Sequence, residues 1–446
     1  MTAMAAGLMA LFMLVSVSAC SGRDPQPVYD TSVVRMVGVG FEDVVSENRD
    51  WKRLSTQLDD VGANGVSIAV GRPEWVAFPW PERRDTWAGQ VADDDERRGH
   101  DFVKEAIDGL APGEAGQRRS LTLAIDALAP RLIETDPAQG AVMSDGSRST
   151  EFPSATSWAT GPAGQNLVAL CEQTAQRYTP DRIALTELIL QESFGEDDLE
   201  LFTQMTGRDD WPRDDSGAPD NDAEEVQRWR SQVIADLVSR CADSARTHGV
   251  QIEMDARIDW DAPAKGRPDS GHDYELLLPE VDRLTVWAYV GLTDREAAAT
   301  CELVDGLDDG LPADSAAKVT TSVGLWAGAN SPDGDVVDMG RESSGDGEQS
   351  SVLSPEAFGE SVRCASTRGN RNTHVTPVSL MGEGHWQTLK EAWGAAGSPG
   401  DTPRGLVGYS TVISPIGAQP SESICLLMIS GVACRYCGNS PCIALK

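Results

Sequence analysis

Carboxylates are concentrated on one face of a strictly alternating segment near the middle of the chain. In VQIEMDARIDWD, residues 250–261, charged residues alternate with apolar ones. A period of two predicts a β-strand over 250–260, with one parity on each face. The charged parity carries Glu253, Asp255, Arg257 and Asp259. Grouped carboxyls can donate and accept protons, so we take Asp255 and Asp259 as candidate catalytic residues and Arg257 as a candidate substrate-binding residue.

Further charged side chains lie at or near the ends of other predicted strands. RIALTELIL (182–190) contains Glu187, and Glu192 follows it, while Asp126 and Arg72 come at the ends of two earlier strands. We expect Glu187 to face inward, because a carboxylate against a helix layer would be buried without a partner. Two carboxyls can cleave a glycosidic bond: one protonates the leaving oxygen while the other attacks or stabilises the anomeric carbon. Glu187 is therefore a candidate general acid, and Asp126, Arg72 and Glu192 are candidate substrate-binding residues.

Aromatic residues accompany these charges. Seven tryptophans lie at or after predicted strand ends: Trp75, Trp80, Trp211, Trp260, Trp287, Trp326 and Trp386. Flat aromatic rings can pack against the C–H faces of sugars while acidic and basic groups bind the hydroxyls. From this group and its neighbours, we select four candidate substrate-binding residues: Trp80, Trp287, Tyr289 and Trp326.

The elements that position these side chains alternate between strand and helix patterns. Strands are predicted over 33–43, 65–72, 120–128, 182–190, 250–260, 283–291, 318–327 and 373–381. Helical spacing is found, among other segments, over 48–63, 97–110, 223–248, 294–306, 354–368 and 385–393. Eight βα units over about 350 residues predict an α/β fold of the (β/α)8 TIM-barrel type. A ninth strand-like segment, 404–413, either caps the barrel or replaces one of the eight.

Three long predicted loops follow strand C-termini: 73–87, 191–222 and 331–351. They are expected to gather on the C-terminal face, where barrel active sites lie. The candidate charged and aromatic residues are expected at the same face.

Three stretches resemble glycoside-hydrolase-like (β/α)8 barrels of exported bacterial proteins: GANGVSIAVGRPEWVAFPWP, ALTELILQESFG and IEMDARIDWDAP. The resemblance spans roughly residues 33 to 393 and implies a barrel with a sugar-related role. The acid typical of strand 4 maps onto Glu187. The glutamate that commonly ends strand 7 has no counterpart, because that strand ends in GLWAG. The second carboxylate would then be Asp255 or Asp259, or Asp126.

Charge and motif content exclude other functions. The 446 residues include 70 acidic against 37 basic residues, a formal net charge of −33, which disfavours nucleic acid as a partner. The five histidines form no HExxH motif, and there is no G-x-S-x-G elbow. The C-terminal CRYCGNSPC could hold a metal with Cys425, but its composition favours an irregular or disulfide-linked tail. We expect no metal and no cofactor.

The N-terminus predicts export. An apolar run ends in VSAC, residues 17–20, which resembles a bacterial lipobox. The resemblance implies cleavage before Cys20, lipidation of its sulfur and anchoring to the cell membrane; the alternative is an ordinary secretory signal. The predicted organisation is a lipoprotein signal peptide (1–19), a tether (20–31), the barrel (32–400) and a C-terminal extension (401–446).

Export permits disulfides. Four cysteines lie in helical segments, and the order of the helices predicts the pairs Cys171–Cys241 and Cys301–Cys364. Four buried free thiols are the alternative.

These observations predict a membrane-anchored extracytoplasmic barrel that binds or hydrolyses a glycan by carboxylate chemistry. The alternative is an inactive barrel that binds envelope polysaccharide or protein.

Overall fold

The computed structural model describes residues 33–46, 49–83, 99–328 and 351–395, together with the short strands 334–336, 426–429, 432–435 and 443–444. The chain forms two units, residues 1–402 and 403–446. In the second unit, Leu426–Ile429, Val432–Arg435 and Ile443–Ala444 form a three-stranded antiparallel sheet. The predicted strand at 404–413, the predicted signal and tether, and Cys20 lie outside the described residues.

The first unit contains a closed ring of eight parallel strands. They are β1 Arg35–Val39, β2 Gly65–Arg72, β3 Ser120–Asp126, β4 Arg182–Thr186, β5 Gln251–Ala256, β6 Arg283–Trp287, β7 Val319–Gly324 and β8 Thr373–Thr376. Each strand pairs with its sequence neighbours, and β1 pairs with both β2 and β8, which closes the ring. The predicted (β/α)8 barrel is confirmed.

A helix follows each barrel strand. They are α1 Trp51–Asp60, α2 Phe102–Leu110, α3 Pro162–Tyr178, α4 Glu224–Arg246, the one-turn α5 Tyr274–Leu277, α6 Ala299–Gly310, α7 Pro355–Thr367 and α8 Glu383–Ala395. Local sequence fixes several starts. Asp50 caps α1 by accepting the backbone N–H of Arg53 at 2.9 Å, and Ser354 caps α7 in the same way. None of the described helices is both long and apolar enough to cross a membrane.

The two faces of β5 show how the core is arranged. Ile252, Met254 and Ala256 are fully buried and belong to the apolar core that the strands share with the surrounding helices. Glu253 and Asp255, on the opposite parity, point into the barrel and line its upper cavity. The alternating pattern therefore predicted the side-chain orientation of this strand correctly.

Several strands end earlier than predicted. β4 stops at Thr186 rather than residue 190, and β5 stops at Ala256 rather than residue 260. β7 stops at Gly324, after which Trp326–Ala327 joins Ser351–Leu353 and Gly334–Val336 in a separate antiparallel sheet. Beyond these ends the alternation of side chains between the faces is lost, which changes where residues such as Asp259 lie.

The loops also hold structure that the sequence did not predict. The connection after β3 carries the antiparallel strands Gly140–Val142 and Arg148–Pro153 and the helices Pro130–Thr135 and Ala155–Ala159, and the predicted loop 191–222 contains the helix Glu196–Thr206. Apart from 3-10 turns, the other short strands and α-helices of the first unit include Phe41–Val44, Trp75–Val76, Gly266–Arg267, His272–Asp273 and Ala313–Ala316.

One of the two predicted disulfides is present. Cys301 on α6 is bonded to Cys364 on α7, so this pairing is confirmed. The Cys171–Cys241 pairing is wrong: both residues are buried free thiols on the neighbouring helices α3 and α4. Burial raises the pKa of the Cys171 thiol, and a hydrogen bond to Cys241 raises it further. A thiol in this setting behaves as a small apolar side chain and resists oxidation.

Candidate active site

An open pocket of about 200 Å³ lies at the C-terminal end of the barrel. Its walls come from six of the eight barrel strands and from segments that follow strand ends, including those after β6 and β7. The charged and aromatic residues that line it are Phe41, Glu42, Asp126, Glu187, Glu253, Asp255, Tyr289, Trp326 and His374. This is the end of the barrel where loops and strand termini can meet a ligand.

Glu187 is placed by the abrupt end of β4. Its backbone leaves the strand with φ of 56°, an uncommon conformation for a residue other than glycine, and its carbonyl accepts the N–H of Ile189 at 3.0 Å. The turn sets the side chain at the pocket wall, above the last strand residue. Burial and, to a smaller extent, Asp126 raise the pKa of Glu187 to about 7, against the opposing effect of Arg257 and Arg72.

Asp126 ends β3 and is paired with Arg72 at the end of β2. The Arg72 Nε and Nη2 atoms lie 3.0 and 2.8 Å from Asp126 Oδ2, and the other carboxylate oxygen accepts the Leu128 N–H at 2.8 Å. Burial raises the pKa of Asp126, and the Arg72 charge and the Leu128 hydrogen bond oppose that rise. Arg72 therefore offsets part of the cost of burying a negative charge next to Glu187.

Asp255, on the inward face of β5, is the third carboxyl near the centre of the pocket, beside Asp126 and Glu187. The strand register pairs Asp126 with Thr186, and it pairs Asp255 with Thr285. Burial raises the pKa of Asp255 well above its ordinary value, with Glu253 adding to the effect. The indole of Trp287 and the hydroxyl of Thr186 face the carboxyl and favour its ionised form, although Trp287 Nε1 lacks the alignment of a full hydrogen bond.

An aromatic wall made of Trp287, Tyr289 and Trp326 borders this group. Trp287 and Tyr289 are stacked with ring centroids 5.3 Å apart, and Tyr289 lies 5.3 Å from Trp326 at a tilt of 57°. Gly324 makes room for the wall, because a Cβ there would lie 2.6 Å from the Tyr289 ring. Phe41 lines the pocket from the β1 side, in edge contact with Trp75.

Besides Arg72, which contacts Asp126, three predicted charged residues do not line the pocket. Asp259 follows the end of β5 and accepts the N–H of Asp261 at 2.9 Å. Glu192 accepts the N–H of Ser144 at 2.6 Å and so fastens the hairpin loop after β3. Arg257 is half-buried above β5, where its charge lowers the pKa of Glu187 without its side chain lining the cavity.

The tryptophans divide between pocket and core. Trp80 is 5% exposed and packs against Phe78 in the hydrophobic core, so the expectation that it forms a sugar platform is wrong. Trp211 is buried in an aromatic cluster with Phe202 and Trp229. Of the predicted platforms, Tyr289 and Trp326 line the pocket, and Trp287 supports Tyr289 from behind.

Comparison with known proteins identifies the fold. No family model and no curated protein matches the chain. The glycoside hydrolase domain of PgaB (BpsB) from Bordetella bronchiseptica superposes with a TM-score of 0.56 at 12% identity, covering 81% of this chain and 99% of that one. A β-galactosidase from the psychrophilic Marinomonas ef1 superposes with a TM-score of 0.53 at 12% identity, covering 81% of this chain and 59% of that one. The chain shares its barrel fold with both proteins. At this identity the similarity fixes the fold alone.

The pocket residues that the sequence did not predict include Phe41 and His374. Phe41 comes two residues after the end of β1, where an aromatic residue after a strand end was a readable signal. His374 lies on the inward parity of β8, and the alternation of THVT indicates that position. Among the described residues, no group of three or more metal-ligating side chains is placed to hold a metal ion.

Proposed function

We propose that the barrel binds a glycan at its C-terminal end and hydrolyses a glycosidic bond there. The observation that carries the proposal is the convergence of Asp126, Glu187 and Asp255 in one open pocket beside an aromatic wall. Paired carboxyls are the chemical requirement for glycoside hydrolysis, and aromatic faces supply the sugar contact.

Glu187 is the proton donor in this proposal. A general acid must hold its proton near working pH and release it as the bond breaks. Its pKa of about 7, raised by burial and by Asp126, meets that requirement. Deprotonation of Glu187 then sets the alkaline limit of activity.

Asp126 is the negative partner. The contact of two Arg72 nitrogens with Asp126 Oδ2 favours its ionised form, which is suited to stabilising positive charge at the anomeric carbon or to activating water. Asp255, which is buried with a strongly raised pKa, is better suited to hold a hydroxyl of the sugar. Asp259 takes no part, because it lies outside the lining of the pocket.

One observation favours a second function, glycan binding without turnover. β7 contributes no carboxylate to the pocket: after Gly324 the chain continues with Leu325 and Trp326. An inactive barrel would use the same aromatic wall and the same hydroxyl-binding carboxyls to hold envelope polysaccharide.

Export and anchoring are part of the proposal. VSAC at residues 17–20 supports lipidation of Cys20, which would place the barrel outside the cytoplasm at the cell membrane. The Cys301–Cys364 disulfide is consistent with an oxidising compartment. Metabolic labelling with a fatty acid, lost in Cys20→Ser, tests this part by itself.

Release of reducing ends from bacterial envelope polysaccharides and amino-sugar oligomers tests the catalytic part. Glu187→Gln should lower the rate at least 100-fold, since general acid catalysis contributes that much. Glu172→Gln, on the exposed face of α3, is the matched control and should retain the wild-type rate. Unchanged turnover in a folded Glu187→Gln protein would remove Glu187 from the mechanism. Glycan binding without turnover in the wild type would favour the binding role.

A further inference from the structure

The floor of the pocket, beneath Asp255, contains two buried polar atoms without hydrogen-bond partners. Glu253 is 1% exposed and His374 is 6% exposed, and both line the cavity. Glu253 Oε2 and His374 Nε2 have no hydrogen-bond partner among the described residues. Burying a polar atom without a hydrogen-bond partner costs free energy, so two such atoms at the end of an open cavity point to a ligand group that forms hydrogen bonds with them.

The other atoms of both side chains are already engaged. Glu253 Oε1 accepts the Thr285 hydroxyl at 2.6 Å, and Arg283 lies 3.7 Å from Oε2 as a counter-charge without a hydrogen bond. His374 Nδ1 lies 3.1 Å from the Ser322 hydroxyl, which lies 3.4 Å from the Tyr289 hydroxyl. Only Oε2 and Nε2 are left to face the cavity.

Glu253, the bridging group, His374, Ser322 and Tyr289 form a chain of hydrogen bonds, and the donor and acceptor roles along it follow from Glu253. The Arg283 guanidinium beside Oε2 makes this oxygen a hydrogen-bond acceptor, so the bridging group must donate to it. A hydroxyl that donates its single hydrogen to Oε2 must accept from Nε2; this places the ring proton on Nε2, leaves Nδ1 to accept from Ser322, and leaves Ser322 to accept from Tyr289. Burial lowers the pKa of His374 to about 4, which keeps the ring neutral as this arrangement requires. The group that both accepts and donates in this way is a hydroxyl.

Backbone packing opens the floor to this group. Gly38 on β1 has no side chain, and a Cβ there would lie 2.7 Å from His374 Nε2. The floor lies below the Asp255 carboxyl, one inward-facing position lower on β5. A hydroxyl on an exocyclic carbon extends farther from a sugar ring than a ring hydroxyl does, so it is the sugar hydroxyl best suited to a floor at this depth.

We propose that Glu253 and His374 form a subsite that binds the exocyclic hydroxymethyl group of a sugar in the pocket, and so select hydroxymethyl-bearing sugars over their deoxy counterparts. This inference rests on the proposed glycan-binding function and specifies the class of sugar. It assigns a binding and specificity role to two residues that take no part in the proton transfer.

The test compares sugars that differ by one oxygen. Binding of the methyl β-glycosides of glucose, galactose and N-acetylglucosamine is measured by NMR titration against the corresponding 6-deoxy glycosides. At least one parent should bind, and its 6-deoxy form should bind at least tenfold more weakly, because it leaves Oε2 and Nε2 unpaired. Thermal unfolding of each variant confirms that it is folded.

Two substitutions of His374 separate the floor contact from packing. His374→Asn keeps an atom near Nδ1 for Ser322 but removes Nε2, and should reduce the discrimination to about twofold. His374→Gln places an amide near Nε2 and should retain most of it. His248→Asn, just beyond the end of α4, is the control and should behave as wild type.

The outcomes distinguish this inference from the proposed function. Equal binding of parent and deoxy glycosides by the wild type would show that the floor holds only water, and would overturn the subsite while leaving glycan binding intact. Equal discrimination in His374→Asn and the wild type would also overturn it. Failure of every parent glycoside to bind the wild type would overturn both the subsite and the sugar-binding role on which it rests.

Discussion

Glu187→Gln should stabilise the folded barrel at alkaline pH, independently of any substrate. In the folded protein, burial and Asp126 raise the pKa of Glu187 from 4.5 to about 7. The folded state therefore binds more protons than the unfolded state between these values, and stability falls as pH rises through that range. Glutamine does not titrate, so the substitution removes this loss.

The difference between the two pKa values sets the magnitude. It corresponds to about 3 kcal/mol of unfolding free energy that the wild type loses as Glu187 deprotonates and that the variant keeps. This advantage of the variant is absent below about pH 4.5 and complete above about pH 7. For a barrel of this size, that free energy shifts the melting temperature by roughly 4 °C. Loss of the repulsion that Glu187 exerts on Asp255 acts in the same direction.

The assay is thermal unfolding of the wild type and Glu187→Gln at pH 4.5, 6 and 8. We expect the melting temperature of the variant, relative to wild type, to increase by about 4 °C between pH 4.5 and pH 8. Glu172→Gln, which replaces an exposed glutamate, should show no such change. A difference between variant and wild type that stays constant with pH would refute the buried, proton-retaining environment assigned to Glu187.

Three further predictions concern the elements that hold the site. Arg72→Met should destabilise the barrel by about 1–3 kcal/mol, because it leaves the buried Asp126 carboxylate without its cation. Urea unfolding measures this loss. A loss below about 0.5 kcal/mol, the size expected of an ordinary surface substitution, would contradict the prediction. Reduction of Cys301–Cys364, or Cys301→Ser, should lower stability by about 2–4 kcal/mol, since the bond closes a long loop with a separation of 63 residues. Melting curves with and without reductant should therefore differ for the wild type but coincide for Cys301→Ser. Gly324→Ala should lower the unfolding free energy by about 1–3 kcal/mol and weaken sugar binding, because the new Cβ would lie 2.6 Å from the Tyr289 ring. Unchanged glycan affinity in the NMR titration would argue against a role for the aromatic wall.

The sequence by itself determined the architecture and the direction of many side chains. Alternation at period two over 250–256 placed Met254 in the apolar core and Asp255 inside the barrel, because successive residues of a strand point to opposite faces. Eight alternating strand and helix patterns were enough to predict the barrel, since each apolar face requires a partner layer. Glu187, Asp126 and Arg72 were identified from their places at strand ends.

Only the tertiary structure decided which of these residues share one pocket. Side chains alternate between the two faces only within a strand, and β5 ends at Ala256. The same sequence pattern therefore gives the correct position for Asp255 but not for Asp259, which lies beyond the strand end. Trp80 and Trp326 both follow strand ends, yet Trp80 is buried in the core and Trp326 lines the cavity. The space that each ring fills is set by residues far away in the chain. The Cys171 and Cys241 thiols lie on neighbouring helices, as the order of elements predicted, but helix adjacency does not decide whether a disulfide forms. Local patterns fix the direction in which a side chain leaves the backbone, whereas its burial, its partners and its pKa depend on what the rest of the chain packs against it.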